Sequence, residues 1–152
     1  MHYQGFDRLI RKMDEIAPKI DEEVIMQIGS TKYAPKNAKF FHFVKNETTI
    51  QDYFKSARVV VSHAGAGTLL YALSLGKPVI VVPRLKKFGE HVDDQQLELA
   101  DVLSEKRKAI AVKEIEDLEK ALKNINQLVL ASHKKDKNLL LYLKEFMRCV
   151  DK

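Results

Sequence analysis

Residues 59–73 of the sequence, VVVSHAGAGTLLYAL, join an apolar run to a helix-like segment through a turn that contains two glycines. Val59-Val60-Val61 is typical of a short buried strand, and Leu69-Leu70-Tyr71-Ala72-Leu73 is typical of a helix. Between them, the small residues of Ser62-His63-Ala64-Gly65-Ala66-Gly67-Thr68 let backbone N–H groups approach an anion, and a helix N-terminus adds unpaired donors and positive dipole. The stretch therefore predicts either a phosphate-binding turn or a tight strand-to-helix connection without a ligand, with Thr68 as a candidate helix cap.

A second polar cluster, Gly89-Glu90-His91-Val92-Asp93-Asp94-Gln95-Gln96, also lies between a predicted strand and a predicted helix. Carboxylate and amide groups of this kind bind sugar hydroxyls, because each hydroxyl both donates and accepts a hydrogen bond. Asp93 followed three residues later by Gln96 also matches a capping box at a helix start. The preceding loop, Arg84-Leu85-Lys86-Lys87-Phe88, carries three positive charges that would neutralise a diphosphate, dock an acidic surface or remain solvated.

Strands and helices alternate along the chain. Hydrophobic periodicity and turn residues predict helices at 6–20, 49–56, 67–75, 94–104, 115–125 and 136–150, and strands at 23–29, 40–44, 58–61, 78–82 and 109–111. This alternation predicts right-handed crossovers and a parallel sheet with helices on both faces, so residues 1–152 are expected to form one doubly wound, Rossmann-like α/β domain. Ligands of such sheets bind beyond the carboxyl ends of the strands, so both polar clusters are expected to open onto one crevice.

Composition narrows the class of protein. The 152 residues are 45% hydrophobic and 31% charged, as in an ordinary globular chain. Cys149 is the only cysteine, which excludes an internal disulfide and favours a cytoplasmic location. No stretch approaches the roughly 18 apolar residues that span a bilayer, so a membrane association is expected only through a partner.

The charge of the chain and the spacing of its histidines bear on two kinds of ligand, nucleic acid and metal ions. The net charge of +5 attracts anions, but no basic motif interleaved with aromatic residues is present, so nucleic acid is not expected as a partner. The five histidines lack metal-ligand spacing, and no metal site is predicted.

The predicted last helix carries a wide apolar face. Its stripe consists of Leu139, Leu143, Phe146, Met147 and Val150, and Leu140 and Leu141 widen it. Such a face either completes the core of the domain or contacts a second chain.

Three segments resemble the C-terminal, donor-binding half of glycosyltransferase family 28: SHAGAGT at 62–68, GKPVIVVPR at 76–84 and GEHVDDQQLELA at 89–100. Within the family, the likeness is to the small catalytic subunits of two-component UDP-GlcNAc transferases of the N-glycan and exopolysaccharide type. The resemblance implies one lobe of a two-lobed GT-B architecture. It also implies an inverting, metal-independent transfer of a sugar, with UDP-GlcNAc as the expected donor substrate and no cofactor.

The resemblance also implies roles for individual residues. The donor diphosphate would be bound by Ser62, His63, Ala64, Gly65, Ala66, Gly67 and Thr68. The donor sugar would contact Asp94, Gln95 and Gln96, with Glu90 and His91 beside them. A separate membrane-anchored subunit would bind the lipid-linked saccharide acceptor, and the last helix is a candidate for the contact with it. No catalytic base stands out in this chain, so the partner is expected to supply it; a homo-oligomer remains open.

Two departures from the family pattern bear on the function. Relatives carry, in the helix after the glycines, a glutamate that holds the uridine ribose; Tyr71 takes its place here. Relatives also begin with an apolar strand, whereas Met1-His2-Tyr3-Gln4-Gly5 precedes the Phe6-Asp7-Arg8-Leu9-Ile10 helix here. We hypothesise that the first strand is missing, as after a start codon assigned too late, which would leave one position of the sheet unfilled.

These departures keep other functions open. A binding or scaffold subunit without catalysis is one alternative, and a fragment like a UDP-GlcNAc 2-epimerase is another. A dinucleotide-binding module is disfavoured, because no complete G-x-G-x-x-G follows the predicted first strand.

Overall fold

The computed structural model describes residues 5–129, 138 and 141–145. The helices are α1 (Asp7–Ile16), α2 (Glu47–Ser56), α3 (Ala66–Ser74), α4 (Gln95–Glu105) and α5 (Leu118–Val129). The strands are β1 (Ile25–Gln27), β2 (Lys39–Phe41), β3 (Val60–Ser62), β4 (Val79–Val81) and β5 (Ile110–Ala111). Short 3-10 helices cover Ala17–Lys19, Lys86–Phe88 and Ile115–Asp117.

The strands form parallel sheets with helices on both faces. β3, β4 and β5 pair in that order, and β1 pairs with β2. Around β4, Ile80 and Val82 pack in the same core cluster as α1 and α5, whereas Val79 and Val81 pack in a second cluster with α3 and α4. The fully buried, continuously apolar β4 is typical of a central parallel strand. The predicted doubly wound, Rossmann-like architecture is therefore confirmed.

The predicted single sheet is divided into two parts in the described region. β1 and β3 are not hydrogen-bonded to each other, although Met26 of β1 and Ile80 of β4 belong to one core cluster. A bidentate ion pair between Arg58 and Glu22, with N–O distances of 2.7 and 2.6 Å, joins the chain just before β3 to the chain just before β1. The hypothesis of a missing first strand concerns residues 1–4 and what precedes them, outside the described residues, and stays a prediction.

Helix α1 is fixed against the loop between β1 and β2 by a buried carboxylate. Asp14 is 1% exposed and accepts hydrogen bonds from the Tyr33 hydroxyl at 2.5 Å and from the backbone amides of Lys36 and Asn37 at 3.0 and 2.7 Å. These hydrogen bonds outweigh the opposing effect of burial and hold the pKa of Asp14 below its ordinary value. Pro18 lies in the 3-10 turn that follows α1, as its missing N–H favours.

Two helix predictions need correction or limits. α2 begins at Glu47 rather than Thr49, because the side chain of Asn46 accepts from the amide of Thr48 at 3.0 Å and caps the helix. Of the predicted last helix, residues 138 and 141–145 are helical; Leu143 is buried in the cluster with α3 and α4, and Leu141 is 58% exposed. The rest of its predicted apolar stripe lies outside the described residues.

Candidate functional site

The segment Ser62–Thr68, here called the glycine loop, runs from the carboxyl end of β3 into the N-terminus of α3. Gly65 is the N-cap residue, and no side chain in the described part of the structure caps the helix. Thr68 is the third residue of α3, so the expectation that it caps the helix is wrong. The first amides of a helix have no partner within it, and the helix dipole favours an anion there. The loop therefore has the backbone arrangement of an anion site; binding itself stays a prediction.

Position 65 favours glycine because the loop closes over His63. A Cβ atom at position 65 would clash with the imidazole ring, with Cε1 of His63 nearest. Burial, reinforced by the charge of Arg84, lowers the pKa of His63 to about 4. The ring is therefore neutral at pH 7, and it packs beneath the loop instead of adding positive charge to it.

Gln96 joins the glycine loop to the loop that follows β4. Its Oε1 accepts from the backbone amides of Ala64 at 3.2 Å and Arg84 at 3.0 Å, and its Nε2 lies 3.2 Å from Nδ1 of His63. The predicted capping box is wrong, because the side chain of Gln96 turns away from its own helix toward these tertiary partners. Asp93 instead accepts from the amide of Gln95 at 3.1 Å.

Glu90 is buried in an ion pair with helix α1. Its carboxylate accepts from Nε and Nη2 of Arg8 at 2.8 and 2.9 Å, and from the amide of Leu85 at 3.0 Å. The Arg8 side chain is 16% exposed and that of Glu90 is 8% exposed, so both charges are largely withdrawn from solvent. Glu90 thus fixes the loop after β4 against α1.

The other residues of the second cluster are more accessible. Asp94 and Gln95 are exposed at the start of α4, and Oδ1 of Asp94 accepts from the amide of Lys86 at 3.0 Å. Nδ1 of His91 lies 3.0 Å from Oδ1 of Asp93. Gly89 ends the 3-10 helix Lys86–Phe88 with φ +66°, a conformation that other residues rarely adopt. Asp94 and Gln95 are therefore accessible to a ligand at the start of α4.

The three cations of the loop Arg84–Phe88, which follows β4, lie in two different environments. Arg84 is partly buried; its guanidinium donates to the carbonyl of Gly5 at 3.2 Å and lies 4.9 Å from the ring centroid of Phe6. Lys86 and Lys87 are exposed on the 3-10 helix beside Phe88. Of these three cations, the two lysines are therefore the more accessible to solvent.

A cavity of about 380 Å³ opens between the N-terminus of α1, the loop after β1 and the loop after β4. Its lining includes Asp7, Arg8, Lys32, Phe88 and Glu90. The sequence analysis placed only Glu90 among the site residues. The contribution of α1 depends on contacts between residues about 80 positions apart, which local motifs do not reveal.

Three further observations concern the ribose position, metal ligands and membrane-spanning helices. Tyr71 packs edge-on against Phe54, with ring centroids 5.1 Å apart, and so is held by an aromatic contact. In the described residues, no group of three or more His, Cys, Asp and Glu side chains is arranged to hold a metal ion. None of the described helices combines the length and apolarity needed to cross a bilayer.

Comparison with known proteins places this arrangement in a family. The model of the glycosyltransferase family 28 C-terminal domain matches residues 4–148. The UDP-N-acetylglucosamine transferase subunits ALG13 of Mus musculus and Homo sapiens are 32% and 34% identical to this chain over 84 residues. Those matches cover 53% of this chain and only 7% of each relative.

A solved structure supports the fold. The crystal structure of Acinetobacter baumannii MurG superposes with a TM-score of 0.60 at 17% identity, covering 97% of this chain and 47% of that chain. The chain thus spans about half the length of that structure. At this identity the likeness concerns the fold alone.

Proposed function

This chain belongs to the glycosyltransferase family 28 C-terminal domain family, and from that membership we propose that it binds the UDP-sugar donor of an inverting glycosyltransferase. UDP-GlcNAc is the proposed donor, because two relatives are named as UDP-N-acetylglucosamine transferase subunits. The observation that carries the proposal is the N-terminus of α3, which begins in a loop of small residues without a capping side chain.

The proposed position of the donor follows from which hydrogen-bonding groups are accessible to it. The diphosphate would lie against the glycine loop, where the first amides of α3 donate to its oxygens. Asp94 and Gln95 would contact the sugar, because both side chains are exposed at the start of α4. Glu90, His91 and Gln96 would lie beside them, with Glu90 and Gln96 already engaged in bonds that shape the loops.

The chemistry needs charge compensation at the leaving group. As the bond from the sugar to UDP breaks, negative charge grows on the diphosphate, and preorganised donors stabilise it. We propose that the α3 N-terminus, together with the exposed Lys86 and Lys87, supplies this stabilisation without a metal ion. A base that takes the proton from the acceptor hydroxyl would come from another chain.

The proposed partner is a separate, membrane-anchored subunit that binds a lipid-linked saccharide acceptor. Support comes from two relatives that are named as UDP-N-acetylglucosamine transferase subunits. The chain would act in the cytoplasm and reach the membrane through that subunit. On this proposal, the isolated chain binds the donor and transfers sugar poorly.

A binding subunit without catalysis is the second candidate. Tyr71, packed on Phe54, occupies the position that the family resemblance assigns to a ribose-binding glutamate. Without the glutamate that holds the ribose, donor binding would be weaker, which favours a supporting role.

Calorimetric titration of the chain with UDP, UDP-GlcNAc and NAD tests the proposal. We expect binding of UDP and UDP-GlcNAc and none of NAD. Tighter binding of NAD than of UDP would overturn it in favour of a dinucleotide-binding module. Donor binding followed by no sugar transfer, even in membranes that hold a lipid-linked acceptor and the partner subunit, would favour the second candidate.

A further inference from the structure

The amide of Gln96 connects three separate parts of the chain through one buried side chain. Two backbone donors, the amides of Ala64 and Arg84, point at its Oε1, which fixes the orientation of the amide. Its Nε2 therefore faces Nδ1 of His63 and donates to it, so the ring carries its proton on its own Nε2. Gln96 is 7% exposed, and these three contacts use its acceptor and one of its donors.

The glycine loop has few side chains of its own to define its shape. Ala64 and Gly65 lie between β3 and α3, and Gly65 rests on the imidazole of His63. The amide of Ala64 is tied to Gln96, and through it to the loop that follows β4. The position of the loop is thus set from beneath, by Gln96 and His63 together.

We propose that Gln96 is a positioning residue, which holds the glycine loop in the conformation that receives the diphosphate. The inference rests on the proposed function and assigns Gln96 an action through the loop, in place of direct contact with the sugar. Its neighbour Gln95 is exposed and carries the direct contact. Two adjacent glutamines therefore have different effects on UDP and on UDP-GlcNAc.

Calorimetry with both ligands separates these roles. Gln96→Met keeps the length of the side chain and removes its hydrogen bonds. We expect the affinities for UDP and for UDP-GlcNAc to fall by the same factor, about tenfold. This is the effect of losing about one hydrogen bond between the displaced loop and the charged diphosphate. Gln95→Ala is the matched control and weakens only UDP-GlcNAc. The inference is overturned if Gln96→Met binds UDP as tightly as the wild type. If the wild type binds neither ligand, the proposed function fails first, and the inference falls with it.

A second variant guards against loss of folding and reports on the contact itself. Gln96→Glu keeps an acceptor for both backbone amides but cannot donate to His63, and its carboxylate favours the protonated ring. Arg84 and His91 are the other titratable groups whose charges act on this ring. Nuclear magnetic resonance titration of the folded variant should show the pKa of His63 raised by about one pH unit or more. An unchanged pKa in a folded Gln96→Glu variant would show that position 96 does not hold His63, and would overturn the inference.

Discussion

Acidification should destabilise the fold through His63. Its folded pKa of about 4 lies below the ordinary value of 6.5, so the unfolded chain binds the proton more tightly. The stabilisation is fully present above pH 6.5 and is lost as the pH falls toward 4. At about 1.36 kcal/mol for each pH unit of difference, a drop from pH 7.5 to 4.5 should cost about 2.5 kcal/mol from this residue.

Urea denaturation of the wild type and of His63→Gln at these two pH values measures this contribution. Glutamine offers an acceptor to Gln96 but does not titrate, so the variant should lose about 2.5 kcal/mol less stability on acidification. The carboxylates of the chain, Asp14 among them, contribute equally in both proteins and cancel in the difference. The same acid-induced loss in both proteins would refute the claim that His63 is held neutral beneath the glycine loop.

Other substitutions test the contacts that shape the site. Gly65→Ala should destabilise the fold by about 2 kcal/mol, because its Cβ meets the His63 ring. The double variant Gly65→Ala, His63→Ala should recover part of this loss. Thermal melts of the single and double variants measure the recovery, and its absence would contradict the prediction. Gly89→Ala is a control for backbone strain without a clash, expected to cost about 1 kcal/mol. Asp14→Ala should cost about 3 kcal/mol, since buried donors lose their acceptor, and Asp14→Asn should cost less; equal losses in chemical denaturation would count against the hydrogen-bond account.

The local features of the sequence predicted much of this fold. Val59-Val60-Val61 and the small residues after it placed the turn from β3 to α3 within one residue, because a strand, a glycine turn and a helix are determined by neighbouring residues. The start of α2 was misplaced by two residues, because Asn46 was not read as a cap.

The tertiary contacts of the site could not be predicted in the same way. Gln96 fitted a capping box by spacing, but its amide bonds to residues 12 and 32 positions away. Glu90 looked like a ligand-binding carboxylate, and its partner Arg8 lies 82 positions away. Asp14 lies on the buried face of the amphipathic helix α1. The helical spacing of the apolar residues does not indicate that a carboxylate is buried among them. In each case the deciding partner comes from another element.

The central claim is that the N-terminus of α3 receives the diphosphate, and a charge placed there tests it. Gly67 is exposed at the second position of the helix, where aspartate stabilises a helix but repels an anion. Calorimetry should show that Gly67→Asp lowers the affinity for UDP about tenfold or more, equivalent to about 1.4 kcal/mol. The neutral Gly67→Asn variant should lose less affinity, and neither variant should melt below the wild type. Equal affinity for UDP in Gly67→Asp and the wild type would contradict the claim.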